Sequence, residues 1–183
     1  MRVIVVGCGR VGAGLAERLA RAGNEVTVID VDSEAFSRLE HDFPGQALRA
    51  DGTDEDVLRR AGADEADMFF SLTEGDNRNV LAAQLASERF GIRHVVAKVN
   101  DPVRAEAYTT LGLATICRTR MLVDELARYA GLEGDPGARG ISLAQQPHHH
   151  EPDGSHPRGT RADDKAGAGA VSGDSTGGQG GRE

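Results

Sequence analysis

A doubly wound α/β fold built on a six-stranded parallel sheet is what this sequence predicts, on three observations. Short β-branched runs, Val3-Ile4-Val5-Val6 and Val26-Thr27-Val28-Ile29, are apolar on both faces, as strands covered from both sides must be. Segments of helical periodicity alternate with such runs, the order that a parallel sheet with helical crossovers requires. A glycine-rich turn follows the first strand and opens the first helix, where this architecture places phosphates. Right-handed crossovers leave few topologies, and the strand order 3-2-1-4-5-6 is expected.

Each element has its own signal. After the first strand, Val11, Leu15 and Leu19 recur at helical spacing, and Gly23-Asn24 ends that helix. Val26 to Ile29 is the second strand, and Glu34 to Leu39 a short helix. Ala47 to Ala50 is a weak third strand. Thr53 is a candidate cap for a helix over 54–60, whose acids open it and whose arginines close it, as the helix dipole favours; Gly62 follows. Met68 to Leu72 is the fourth strand. A helix runs from Asn79 to Phe90, with Leu81 and Leu85 on one face. His94 to Val99 is the fifth strand, and Pro102, suited to a first helical position, opens a helix to Leu111. Ala114 to Cys117 is the sixth strand, and Met121 to Ala130 the last helix.

Gly7-Cys8-Gly9-Arg10-Val11-Gly12 reads G-x-G-x-x-G, and its place between strand and helix makes it a dinucleotide fingerprint, the Rossmann-like signature. The first glycine makes the tight turn, the second admits a pyrophosphate, and the third lets helix and strand pack closely. Asp30 ends the second strand 18 residues past Gly12, placed to bind ribose hydroxyls. No arginine directly follows it, which disfavours NADP. The other strand ends carry Asp51-Gly52-Thr53, Thr73-Glu74 and Lys98. Asp51 and Thr53 are candidates for an adenine edge, with the cap as the other role of Thr53. Thr73 and Glu74 are candidates for a second ribose or the phosphates. Lys98 reads as the only cation at these ends outside the glycine loop, its partner a phosphate or Asp76.

Composition divides the chain. Residues 132–183 hold 12 of the 24 glycines and 4 of the 6 prolines, with no aromatic residue and four large aliphatics. Such a segment cannot bury enough apolar surface to offset its chain entropy, so a disordered tail is expected after an ordered domain of residues 1–131. His148-His149-His150 and His156 fall in it and read as a solvated tract rather than a metal site. A net charge of −8 argues against nucleic acid. No apolar run reaches the roughly 18 residues of a membrane span, so direct insertion is not expected. Cys8 and Cys117 fit no zinc or redox spacing, which suggests a reduced, cytosolic compartment.

With these motifs placed, residues 1–130 resemble the nucleotide-binding domain of Trk-type potassium-transport regulators, the TrkA-N, KTN or RCK N-terminal family. The carriers are Gly7 to Gly12, Val28-Ile29-Asp30-Val31-Asp32 and Ala50-Asp51-Gly52-Thr53-Asp54. Further carriers are Leu72-Thr73, Asp76-Asn77-Arg78-Asn79, Ala97-Lys98-Val99-Asn100-Asp101-Pro102 and Leu111-Gly112. Asp-Gly-Thr combined with Asn-Asp-Pro is far more specific than the glycine loop. The resemblance implies NAD(H) or ATP/ADP against the Gly7–Val11 loop, Asp30, Thr73, Glu74 and Lys98, where arginine often stands in the family. It implies a cytoplasmic, non-enzymatic regulatory subunit held at the inner face of the membrane by a potassium transporter. It also implies assembly as a homodimer or higher ring, with or without a second regulatory chain. The final helix agrees: Leu122, Leu126 and Tyr129, flanked by Met121, Val123 and Ala127, exceed what one sheet face can cover.

Two other functions fit less well. An NAD-dependent oxidoreductase would need a substrate pocket and an acid–base residue, and none stands out beyond the six strands. A redox-sensing DNA-binding protein conflicts with the acidic charge. Cys8 reads as a small residue of the phosphate loop, and Glu74 with Asp76 as a solvated loop.

Overall fold

Strand and helix alternate from the first residues onward. The computed structural model describes residues 1–132 and the backbone of residues 141–142. The strands are β1 (Arg2–Val6), β2 (Glu25–Asp30), β3 (Gln46–Arg49), β4 (Met68–Ser71), β5 (His94–Lys98), β6 (Thr115–Ile116) and β7 (Ile141–Ser142). The helices are α1 (Arg10–Arg21), α2 (Glu55–Arg60), α3 (Asp76–Gln84), α4 (Pro102–Thr110) and α5 (Arg118–Tyr129). The sheet order is β3-β2-β1-β4-β5-β6-β7, so the six parallel strands follow the expected doubly wound order. β7 is a correction to the expected tail: it pairs antiparallel with β6. The reason is local, because β6 is only two residues long and its outer edge offers unpaired backbone groups to any extended segment. The rest of the expected disordered tail, the histidine tract included, lies outside the described residues.

The alternation of side chains along β1 defines two cores. Val3 and Val5 join Val26, Val28 and the alanines of α1 on one face. Ile4 and Val6 join Ile29, Phe69, Leu58 and Ala83 on the other. The helices therefore change faces between β1 and β4, which leaves a crevice at the carboxyl ends of those two strands.

Four local expectations need revision. In α1 the buried face is Gly12, Ala13, Ala16 and Ala20, while Val11 is exposed. Small residues let the helix axis approach the sheet, and the longer Leu15 and Leu19 pack along the flank. α3 begins at Asp76, three residues earlier than expected, and ends in a π turn over Leu85–Arg89. Its buried residues are Asn79, Val80, Ala82 and Ala83, and Leu81 is exposed. α2 is capped by Asp54, whose carboxylate accepts from the amides of Asp56 and Val57, and not by Thr53. α5 has no buried residue at all, so the sheet covers less of it than expected.

Candidate functional site

The carboxyl ends of β1, β2, β3 and β4 converge on a cavity of about 340 Å³. Among the residues expected to bind a ligand, Gly7, Gly9, Asp30, Asp51, Thr73 and Glu74 line it. Cys8, Arg10, Val11, Gly12, Thr53 and Lys98 do not. Cys8 is buried beneath the loop, Arg10 and Val11 are exposed in the first turn of α1, and Lys98 ends β5 on the far side of β4.

The loop is shaped by its glycines for different reasons. Gly7 has φ +101° and lies against the backbone of Leu72 and Thr73, so a side chain there meets both strain and collision. A Cβ on Gly12 would stand 1.9 Å from the carbonyl oxygen of Gly7. Gly9 differs: its φ is −71°, and a Cβ there would meet no atom within 4 Å. Neither strain nor packing calls for glycine at Gly9. A group that approaches the backbone from the cavity would, and a pyrophosphate on the amides at the start of α1 is such a group.

Asp30 faces this loop. One carboxylate oxygen accepts from the amide of Cys8 at 2.6 Å, and the other from the amide of Asp32 at 2.9 Å. Each oxygen keeps further lone-pair capacity toward the cavity. Burial, and then the Asp30 carboxylate, push the Cys8 thiol up to about 11, so it remains protonated at neutral pH.

The β3 side is held by Asp51. Its Oδ1 accepts from the amide of Thr53 at 2.9 Å and from the Thr53 hydroxyl at 2.8 Å. These bonds, the amide first, hold the Asp51 carboxyl below the usual range, and Arg78 adds to the effect. Thr53 is therefore a tie for Asp51, with its hydroxyl proton already engaged. Between them Gly52 presses on β1, since a Cβ there would fall 2.3 Å from the side chain of Val6.

Beyond β4, Lys98 is 8% exposed, and its ammonium makes no hydrogen bond or ion pair among the described residues. Burial first, and then the Arg118 guanidinium, hold its amine below the usual lysine range. Asp76 is not its ion-pair partner: its carboxylate accepts from the amide and side chain of Asn100 and from the amide of Asp101. Asp76 is thus a brace between α3 and the end of β5 rather than part of a solvated loop.

Lys98 is also not the only cation at these strand ends. Arg38 and Arg78 line the cavity, and Arg118 opens α5. Sequence reasoning passed over all three. Arg38 closes a 3-10 turn over Ser33–Arg38 that Asp32 caps, and this turn brings it to the cavity that Asp30, eight positions earlier, also lines. Among the described residues, no group of three or more His, Cys, Asp or Glu side chains is arranged to hold a metal ion.

A family model described as the TrkA-N domain matches residues 3–119. The Trk system potassium uptake protein TrkA of Streptomyces coelicolor is 43% identical over 128 residues, which cover 70% of this chain and 57% of that protein. Its namesake in Halomonas elongata is 37% identical over 110 residues, 60% of this chain and 23% of that protein. The chain thus spans less than two thirds of the length of these relatives. Among solved structures, the Kef CTD of Shewanella denitrificans in its AMP-bound form has a TM-score of 0.62 at 22% identity, over 71% of this chain and 79% of that one. The TrkA-N domain of the inner membrane protein ybaL from Escherichia coli has a TM-score of 0.62 at 16% identity, over 70% and 95%. Both likenesses show the fold.

Proposed function

The chain belongs to the TrkA-N domain family, and from that premise we propose that it is a regulatory subunit that binds NAD(H) or ATP/ADP and thereby gates a potassium uptake transporter. Relatives that carry the name Trk system potassium uptake protein support the transport assignment. The observation that carries the nucleotide assignment is Gly9, a glycine with ordinary backbone and open space above it, facing the same cavity as Asp30. The adenosine ribose lies on Asp30, the adenine against Asp51, which Thr53 holds in place, and the pyrophosphate over Gly7 to Gly12. The chain beyond the pyrophosphate passes Thr73 and Glu74 toward Lys98.

In this reading the subunit carries no chemistry. Nucleotides act by favouring one of two conformations, which requires that they bind the two with different affinity. The domain boundary falls near residue 131. The subunit works in the cytosol at the inner face of the membrane through its transporter. It does so as a homodimer or higher ring, with or without a second regulatory chain. Among the described residues no helix is long and apolar enough to cross a membrane.

Thermal shift of the full chain with NAD, NADH, ATP and ADP tests the binding step, because a ligand of the native state raises its stability by mass action. At least one of the four is expected to raise Tm in a concentration-dependent way, and no response to any would overturn the assignment. Potassium-limited growth of a strain lacking the gene tests the transport step, and unchanged uptake kinetics would remove it. Oxidation of NADH with a panel of aldehydes or keto acids would restore an enzymatic reading.

A further inference from the structure

Asn79 is fully buried in the first turns of α3, and its amide makes five side-chain hydrogen bonds at the carboxyl ends of β4 and β5. Its Oδ1 accepts from the Thr73 amide at 2.8 Å, the Thr73 hydroxyl at 2.7 Å and the Ser71 hydroxyl at 3.1 Å. Its Nδ2 donates to the carbonyls of Thr73 and Lys98, each at 2.9 Å. The orientation of the amide is fixed by its partners, because the reverse would set a carbonyl oxygen against two carbonyl oxygens.

This fixes the polarity of Thr73, which lines the cavity. Both of its protons, amide and hydroxyl, go to Asn79, and its carbonyl is taken by the same side chain. What Thr73 offers a ligand is the lone-pair side of its hydroxyl, with the Glu74 carboxylate, also an acceptor, next in the chain. At the Thr73 hydroxyl itself a phosphate, which brings no proton at neutral pH, meets only an acceptor. A sugar hydroxyl brings a donor and meets the group it needs. Arg78, which lines the same cavity, acts on Asp51, on the adenosine side, and Lys98, outside the lining, acts on Glu74.

We propose that Asn79 is a positioning residue that makes Thr73 an acceptor for a ligand hydroxyl, so that this part of the site selects a dinucleotide, with its second ribose, over a nucleoside triphosphate. The inference rests on the nucleotide-binding reading and deepens it. Calorimetry of the full chain with AMP, ATP and NADH tests it in the wild type and in Thr73→Val, Thr73→Ser and Asn79→Ala. Thr73→Val is expected to weaken NADH on the order of fivefold, the loss of one hydrogen bond, and to leave AMP and ATP within about twofold. Thr73→Ser, which keeps the hydroxyl, restores NADH affinity. Asn79→Ala releases the Thr73 proton and lowers the preference for NADH over ATP in the same direction. If that variant does not fold, the Thr73 pair decides alone. Equal losses for ATP and NADH in Thr73→Val, or no loss of NADH, would overturn the inference while AMP binding stands. Failure of all three nucleotides to bind the wild type would overturn the underlying reading as well.

Discussion

The amide of Cys8 donates to Oδ2 of Asp30 at 2.6 Å, so the carboxylate at the end of β2 also holds the turn after β1. Two strands that are neighbours in the sheet are thus tied at the ends that form the cavity. In the proposed function Asp30 acts twice, through the ribose and through the shape of the glycine loop. Asp30→Ala is expected to weaken NAD and ATP alike by roughly ten- to a hundredfold, the scale of one charge-assisted bond. Asp30→Asn, which keeps an acceptor for the Cys8 amide, is expected to lose less. Calorimetric titration of both variants checks this, and unchanged affinities in Asp30→Ala would show that the carboxylate is not the ribose ligand.

The glycines of the loop separate fold from ligand. Gly9→Ala is expected to keep the wild-type Tm within a degree or two, since the new methyl meets nothing and φ is ordinary, yet to lose nucleotide affinity. Gly12→Ala is expected to lose several kcal/mol of stability through overpacking against the Gly7 carbonyl. Melting curves with and without NADH distinguish the two. A Gly9→Ala protein that binds as the wild type does would mean that no ligand approaches the backbone at that glycine.

How far the sequence could be read follows the range of the forces involved. The G-x-G-x-x-G turn was legible because it rests on local pattern, and the strand order because the fixed hand of parallel crossovers leaves few topologies. The buried face of α1 was not, because Ala13 and Ala16 win their place by small size, which only the distance to the sheet reveals. Arg38 and Arg78 reach the cavity through a turn and a helix start whose positions no spacing rule gives. Asn79 carried a partial signal: a polar residue on the inward face of a helix needs partners, and the nearest are the strand ends beside it.

Cys8 gives an alkaline signature. Its thiol is held at about 11, against 9.0 for a free one. Between those values the unfolded chain has lost the proton and the folded one keeps it, so stability falls as pH rises through that window. Below about pH 9 this contribution is complete. Alkylation of the native protein by iodoacetamide at about pH 8, mapped by mass spectrometry, is expected to be slow at Cys8. Fast modification there would show an exposed thiolate and reopen a redox role.

In the proposed function Lys98 trades stability against binding. Lys98 is buried with no ion pair among the described residues, and burial and Arg118 outweigh the weaker pull of Glu74 and Asp76 on its ammonium, so its charge costs folding energy. Its depressed pKa means that the folded protein releases this proton first. Stability therefore rises with pH between the folded value and 10.5. Lys98→Met is expected to raise Tm by roughly 2–4 °C, the equivalent of about 1 kcal/mol, and to weaken nucleotides that carry charge beyond the first phosphate. A lower Tm in the variant would mean that the ammonium is stabilised where it lies.

α5 supplies the last test. No residue of this helix is buried, and Leu122, Leu126 and Tyr129 are 58%, 59% and 94% exposed. They recur at i, i+4 and i+7 and form one apolar stripe, with Met121 and Val123 beside it. Glu125 and Arg128 pair with each other on the same helix, which leaves the stripe uncluttered by their charges. A stripe of this length is costly in water and is covered when two copies pack it face to face, each burying the other's leucines. The dimer proposed above uses this surface. Light scattering is expected to give about twice the monomer mass of 19.3 kDa, and Leu126→Glu to return the monomer because it would place a carboxylate at the centre of the contact. A wild-type monomer at every concentration and nucleotide state would sink the dimer. A dimer that persists in Leu126→Glu would move the interface away from α5.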